Sequence, residues 1–309
     1  MPSIAHLVRH FLRTSLRGRT RLTIALARHA TALQRAAVQI IGARPLFLDL
    51  RDPSNHDLFR DAPYSKAPWE WSTAAAFQQL IRPGDVAFDI GANRGLHAVV
   101  IASLVGQGGY VACFEPNPSL RAALAITVGA TPWMELFPVA LSDRDGEAPL
   151  FVGANHEMGS LGNWVAARTG ETTQAITVPL RQLDSLVREG ILSRPDIMKV
   201  DVEGNELRVF RGAHELLDRE DAPIIIYEEN LYAAPNATGE SASAATAFLL
   251  ALSLPRYRCY YLWEWGLVTR TAPGQILHGN LVAIPKSRRS RWPELESSEY
   301  TELRGGATS

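Results

Sequence analysis

Residues 86–98, reading VAFDIGANRGLHA, constrain this chain more than any other stretch. The apolar run Val86, Ala87 and Phe88 leads to Asp89. The chain then turns through Gly91 and Gly95 and enters the apolar segment 99–102. A buried strand, a glycine turn and a helix start are the parts of a nucleotide-type cradle at the carboxyl edge of an α/β sheet. Dinucleotide turns read G-x-G-x-x-G, and phosphate loops read G-x-x-x-x-G-K followed by Ser or Thr. The pattern here is D-x-G-x-x-x-G, with no Lys-Ser/Thr behind it. That spacing makes a poor pyrophosphate cradle. It suits an adenosyl cofactor without phosphates, its amino-acid end lying along the turn, and S-adenosylmethionine (SAM) is the candidate that fits.

From residue 86 onward strand and helix patterns alternate. Strands are expected at 86–90, 109–114, 134–139, 196–201, 223–229, 257–263 and 280–284. Helices are expected near 94–105, 117–129, 181–189, 203–218 and 241–253. Continuous apolar strands such as Ile224-Ile225-Ile226-Tyr227 fit a sheet covered on both faces, and the alternation argues for a doubly wound, mostly parallel sheet. The last two strands have no helix between them and are expected to pair antiparallel at one edge. Between 141 and 180 the alternation lapses. Two short strands, 148–152 and 175–179, bracket a polar loop at 156–173 that is the natural place for a substrate lid.

Residues 1–80 read as a helical cap, 81–285 as the cofactor-binding domain, and 286–309 as a charged, flexible tail. The 309 residues suffice for one α/β domain plus an extension, and a net charge of −1 gives no whole-protein case for a nucleic-acid partner. Cys113 and Cys259 sit in apolar runs without a C-x-x-C partner, as expected of reduced core residues in a cytoplasmic protein. Arg9, Arg13 and Arg17 interrupt the apolar core that a signal peptide needs, and no apolar run approaches the ~18 residues of a membrane span. The charge is unevenly placed. Residues 1–48 hold eight arginines and no acid, with Ile4, Leu7, Val8, Phe11 and Leu12 at helical spacing. One or two basic amphipathic helices are expected there. They serve either as a cap with solvated arginines or as a contact for an anionic membrane surface or an acidic carrier.

Glu115 ends an apolar strand 24 positions after Gly91, where a carboxylate can accept both hydroxyls of a ribose. Asp89, at the tip of the first strand, suits the amine of the cofactor's methionine part, and Asn93 in the turn suits its carboxylate. Ser142 and Asp143 follow the third strand, with Asp143 placed to accept from the adenine amino group; a plain surface turn is the competing reading. A second dense group runs from Lys199 to Glu206 (KVDVEGNE). Strand parity puts Lys199 and Asp201 on one face, and four ionisable residues around a strand end are expensive unless paired or functional. Glu228-Glu229 closes the next strand and is expected to face the same cleft. Asp201, Glu203 and Glu228 raise the question of an oxygen-ligated Mg²⁺ or Ca²⁺, but no metal is expected.

Taken together these segments resemble the FkbM family of SAM-dependent methyltransferases. The matching pieces are FDIGANRG at 88–95, FEP at 114–116, ALSDRDG at 140–146, Leu183-Asp184, MKVDVEGNE at 198–206 and Arg211-Gly212-Ala213. The resemblance implies the class I SAM methyltransferase sheet, Rossmann-like with helices on both faces, and methyl transfer to a hydroxyl of a sugar, glycan or natural product. Where the family often has an aromatic and a small hydroxyl residue after the second glycine, this chain has Leu96 and His97. The expected acceptor is a small molecule or glycan. Asp201, Glu203 and His97 are the candidates for the base that takes its proton, with His156 behind them. Methylation of nitrogen or a carboxylate, or a non-catalytic SAM-fold subunit, are the competing functions. A NAD-dependent oxidoreductase is disfavoured by the glycine spacing. Trp69, Trp71 and Trp164 are candidates for an aromatic acceptor floor.

Overall fold

The computed structural model describes residues 3–39, 43–53, 55–61, 68–153, 159–163, 166, 170, 172–263, 267–271, 274, 278–296 and 300–302. Helices α1 (Ile4–Leu12), α2 (Arg19–His29) and α3 (Thr31–Gln34) lead into strands β1 (Ala36–Val38) and β2 (Leu46–Leu48), then α4 (Asn55–Asp61) and α5 (Pro68–Leu80). The regular alternation begins with β3 (Val86–Ile90), α6 (Leu96–Val105), β4 (Tyr110–Phe114), α7 (Pro118–Gly129) and β5 (Met134–Phe137). An insertion follows, made of β6 (Ala140–Leu141), β7 (Gly146–Val152) and β8 (Gln174–Arg181), and leads to α8 (Leu183–Arg188). The alternation resumes with β9 (Ile197–Val200), α9 (Glu206–Arg211), α10 (His214–Leu217), β10 (Ile224–Glu229), α11 (Ala233–Thr238) and α12 (Ala244–Ala251). Four more strands follow: β11 (Arg258–Leu262), β12 (Leu267–Arg270), β13 (Gly279–Ile284) and β14 (Tyr300–Glu302).

Nine strands form the main sheet in the order β14-β12-β11-β13-β10-β9-β3-β4-β5. The run from β10 to β5 is parallel throughout. Chain order runs outward in both directions from the β3/β9 contact, which is therefore the switch point where α/β sheets open a crevice beyond their carboxyl ends. β13 enters antiparallel between β10 and β11. The expected antiparallel pairing of the two late strands is present, but it is not the edge. β12 and β14 extend the sheet beyond it, and neither was legible as a strand.

Each central strand divides its side chains between two cores, as the period of two requires. Ala87, Val111, Ile197, Ile224 and Ile226 enter one core with α6 and the N-terminal elements. Phe88, Ala112, Met198, Ile225 and Tyr227 enter the other with α8, α9, α10 and α12. That is why these strands read as continuous apolar runs. Both cysteines are buried and reduced. The strands expected at 148–152 and 175–179 pair antiparallel as β7 and β8, with β6 parallel to β8, over a small core of their own.

Several expectations are corrected. The helix expected over 203–218 is two short helices that part at Gly212 and Ala213, and a Cβ on Gly212 would stand 1.9 Å from the Ser142 carbonyl oxygen, so only glycine fits that contact. Asp184 then caps the second piece, its carboxylate accepting from the amides of Glu215 (2.9 Å) and Leu216 (3.0 Å). Within the arginine-rich stretch, 36–38 is a strand rather than helix; it pairs antiparallel with 46–48, inside the weakly alternating run 45–50 that reads as a short strand. Residues 286–296, expected as flexible tail, are folded. Two 3₁₀ turns, Lys286–Arg291 and Pro293–Glu296, bury Trp292 and Leu295 in the first core. Their arginines are spent on acids at the amino ends of strands: Arg288 bonds Asp196 at 2.8 Å and Arg291 bonds Asp85 at 3.0 Å. Charge alone does not make a segment mobile when buried partners await it. Among the described residues no helix is long and apolar enough to cross a membrane.

Asp85 also accepts from the Arg82 amide at 2.8 Å, so it anchors both the turn into β3 and the C-terminal segment. Asp85→Ala leaves the Arg291 guanidinium largely buried without its carboxylate and is expected to lower unfolding free energy by about 3 kcal/mol. Urea denaturation measures this, and an unchanged midpoint removes the anchor.

Candidate active site

The turn after β3 is shaped by close approach. A Cβ on Gly91 (φ +82°) would fall 1.8 Å from the Asp201 carbonyl oxygen, so only glycine lets the loops leaving β3 and β9 touch. The Gly91 and Ala92 amides donate to the Phe114 carbonyl at 3.0 and 2.9 Å, binding the same turn to the end of β4. Gly95 (φ +88°) opens α6, and a Cβ there would meet Leu124 at 2.7 Å.

Glu115 faces this turn. Its Oε2 accepts from the Asn93 amide and its Oε1 from the Asn117 amide, both at 2.8 Å. Each carboxylate oxygen thus holds one backbone donor and keeps further lone pairs for another. Burial pushes its pKa up to about 7 against the pull of those two amides. Asn93 takes a left-handed conformation (φ +51°), which turns its amide toward Glu115.

Asp89 is fully buried, at 0% exposure. Neither of its oxygens meets a partner at hydrogen-bonding geometry among the described residues. Burial raises its pKa to about 6; the Lys199 ammonium, 3.9 Å away, and the Ala98 amide pull it back. Lys199 lies directly opposite Asp89 in the β3/β9 register and donates to Asp201 Oδ2 at 3.1 Å. Burial works against this ammonium, but Asp201, Asp89 and Glu228 overcome it and leave its pKa raised. Strand parity puts Asp89, Lys199 and Glu228 on the face that carries Ala87, Ile197 and Ile226.

The loop after β9 turns through two left-handed residues, Glu203 (φ +54°) and Gly204 (φ +93°). Glu206 holds that turn: its Oε1 accepts from the Val202 amide at 3.0 Å and the Gly204 amide at 3.3 Å. Ser160, from the β7–β8 insertion, clamps it from outside. Its hydroxyl donates to the Glu203 carbonyl at 2.8 Å and accepts from Asn205 Nδ2 at 3.1 Å. Ser160 was missed at the sequence level, since a serine in a polar loop carries no pattern. Glu203 and Glu228 are both pushed up, to about 8 and about 9, by burial and by the surrounding carboxylates. Glu228 joins the cluster, whereas Glu229 does not, which corrects the expectation that the pair share one cleft. Glu229 points to the opposite face, where its Oε1 accepts from the Thr246 amide and hydroxyl at 3.1 and 2.6 Å.

His97, the second residue of α6, stacks edge-on against Phe77 with ring centroids 5.7 Å apart. Burial and the nearby Lys199 charge drive its pKa well down, so the ring is neutral. Ser142 and Asp143 stand apart from this arrangement. They follow β6, a strand of the inserted sheet and not of the main one, so the expected third strand end in a single sheet is not formed. Ser142 is buried and donates to Asp143 Oδ1 at 3.2 Å, and Gln182 Nε2 donates to the Asp143 carbonyl at 2.7 Å. Among the described residues no hydrogen bond joins either to the 91–95 turn. No group of three His, Cys, Asp or Glu among the described residues is arranged to hold a metal ion. His156, Trp164, half of the expected lid and the Trp69 and Trp71 side chains lie outside what is described.

Comparison with known proteins places these residues in a family. Residues 89–255 match the family described as the methyltransferase FkbM domain. The 2-O-methyltransferase NoeI of Sinorhizobium fredii is 31% identical over 155 residues, 45% of this chain and 62% of NoeI. The hexuronic acid methyltransferase AglP of Haloferax volcanii is 28% identical over 134 residues, 41% of this chain and 49% of AglP. The 31-O-demethyl-FK506 methyltransferase FkbM of Streptomyces tacrolimicus is 29% identical over 161 residues, 44% of this chain and 62% of that protein. The chain thus spans about half to three fifths of the length of these three relatives. The family match covers more than half of the chain and contains Asp89, Gly91, Glu115, Lys199, Asp201 and Glu228; the chain belongs to the FkbM methyltransferase domain family.

Proposed function

We propose that this chain transfers the methyl group of SAM to a hydroxyl oxygen of a sugar, glycan or secondary metabolite. The observation that carries the cofactor reading is Glu115, held by the Asn93 and Asn117 amides with lone pairs left over for a ribose diol. Other features fit the same group. Gly91 and Gly95 let the turn pack closely against the Asp201 carbonyl and Leu124. The buried Asp89 carboxylate suits the methionine ammonium, and Asn93 suits the carboxylate beside it. Ser142 and Asp143, on the inserted sheet, remain the adenine-end candidates. The names of two relatives specify an oxygen acceptor, which supports a hydroxyl oxygen as the atom methylated; that of a third specifies a sugar acid, which has both hydroxyls and a carboxylate.

When bound, SAM supplies a methyl group activated by its positively charged sulfur. The chain's own task is to orient the acceptor in line, exclude water and take up the hydroxyl proton. Of the candidate bases, Asp201 is the one favoured. It stands 3.1 Å from the Lys199 ammonium, which can balance its charge. Glu203 and Glu228 are held protonated at neutral pH by burial and like charge, so neither offers a carboxylate there. His97 is neutral but turned against Phe77.

SAM is expected to raise the thermal midpoint and NADH to leave it unchanged; the reverse would reassign the pocket. By calorimetry, Glu115→Ala is expected to weaken SAM binding about 10- to 100-fold, the loss of hydrogen bonds to a charged group. Asp201→Asn is expected to cut kcat by about 10²-fold or more while SAM affinity holds, as for a lost general base. Wild-type turnover in that variant removes Asp201 from the mechanism. Label transferred to nitrogen or a carboxylate would replace the hydroxyl reading.

Protonation of Glu203 and Glu228 also sets a pH dependence. Their folded pKa values, about 8 and about 9, stand above the ~4.3 of an unfolded Glu. The folded chain therefore binds more protons than the unfolded chain in that interval. The stabilisation is complete at acid pH and is lost as pH rises through 8 and 9. Glu228→Gln is expected to flatten the fall in urea midpoint between about pH 5 and 9, and a wild-type slope would contradict this assignment.

A further inference from the structure

We propose that α1 and α2 form a docking face for an anionic lipid bilayer. Ten large hydrophobic side chains are exposed among the described residues, and five of them, Ile4, Leu7, Leu16, Leu22 and Leu26, fall within these two helices and their connection. They are between 41% and 61% exposed. On α1, Val8 and Leu12 turn into the core, which leaves Ile4 and Leu7, three apart, on the outer side. On α2, Thr23 and Ala27 turn inward, which leaves Leu22 and Leu26, four apart, on the outer side. Leu16 projects from the turn between them. The inner faces are satisfied by the fold, and the outer faces are not.

The charge around these leucines selects the occupant. Eight of the chain's 31 basic residues and none of its 32 acidic ones fall in residues 1–48, so the remainder of the chain is net negative. Several other arginines are engaged: Arg9 lies 4.5 Å over the Phe59 ring, Arg13 bonds the Arg60 carbonyl, Arg288 pairs with Asp196 and Arg291 with the buried Asp85. Arg17, Arg21 and Arg28 form no ion pair among the described residues. Arg21 and Arg28, seven apart on α2, lie along one side of the Leu22–Leu26 strip. An anionic surface attracts this face and repels the rest of the molecule, which fixes a single orientation. The exposed set is spread over two helices and their connection as single aliphatic side chains, with no large exposed aromatic among them. A protein partner would be gripped at a few deep anchors, whereas leucines entering between headgroups need only a common plane.

The test uses the full chain sedimented with vesicles of phosphatidylcholine alone or with one third phosphatidylglycerol. The bound fraction is expected to be about tenfold higher on the anionic vesicles and to fall with added salt. Leu22→Ser with Leu26→Ser, and separately Arg17→Gln with Arg21→Gln and Arg28→Gln, are each expected to lower binding about tenfold while the thermal midpoint stays at the wild-type value, since all five side chains are exposed. Equal sedimentation with both vesicle types overturns the proposal, as does wild-type binding by the leucine variant. Self-association without vesicles that the leucine changes abolish would assign the face to a second copy of the chain instead.

Discussion

The approach of Gly91 to the Asp201 carbonyl is the contact on which the arrangement of the site depends. The two loops that leave β3 and β9 meet where the sheet reverses, and a Cβ in that contact would lie 1.8 Å from the oxygen, far inside van der Waals contact. The Asp201 amide donates to the Ile90 carbonyl at 3.0 Å and continues the ladder one residue past the strand. Held this way, the glycine turn and the acidic loop are two walls of one crevice. Asp89, Lys199 and Asp201 follow from that geometry, because register and parity then carry their side chains to the same place.

Such a crowd of carboxylates around one lysine would repel itself apart if all were ionised. The structure distributes the problem. Glu206 is satisfied by two backbone amides and holds the loop, while Glu229 is turned to the other face and bonded by Thr246. Lys199 balances Asp201 and stands near Asp89. Glu203 and Glu228 are left to keep their protons. One carboxylate beside the ammonium is thereby distinguished from its neighbours, which is the asymmetry a proton acceptor needs.

The two ends of the chain show how little composition says about fate. Both are rich in arginine. At the C-terminal end the guanidiniums meet Asp85 and Asp196 below the strands, and Trp292 and Leu295 complete the core, so a segment that reads as a loose tail is built in. At the N-terminal end the arginines meet no acid in the segment, and leucines stay outside between them. What separates the two cases is whether partners exist elsewhere in the fold.

Much of this was legible beforehand because it is local or periodic. The glycine spacing, the acid 24 residues on, the apolar strands and the alternation that makes a doubly wound sheet are all read within short windows. The parity that unites Lys199 and Asp201 is equally local. It would also have separated Glu228 from Glu229, since neighbours on a strand point apart. Ser160, the break at Gly212, the place of Ser142 and Asp143 on a separate sheet, and strands β12 and β14 were not legible. Each depends on what a residue meets across a long stretch of chain: a carbonyl 1.9 Å away, a turn 43 positions distant, an unfilled sheet edge. The sequence by itself determined the glycine turn, the fold class and the family, because these rest on backbone conformation, apolar period and motif spacing. Only the tertiary structure decided which acids stay charged, since ionisation is set by burial and by neighbours that folding alone brings together.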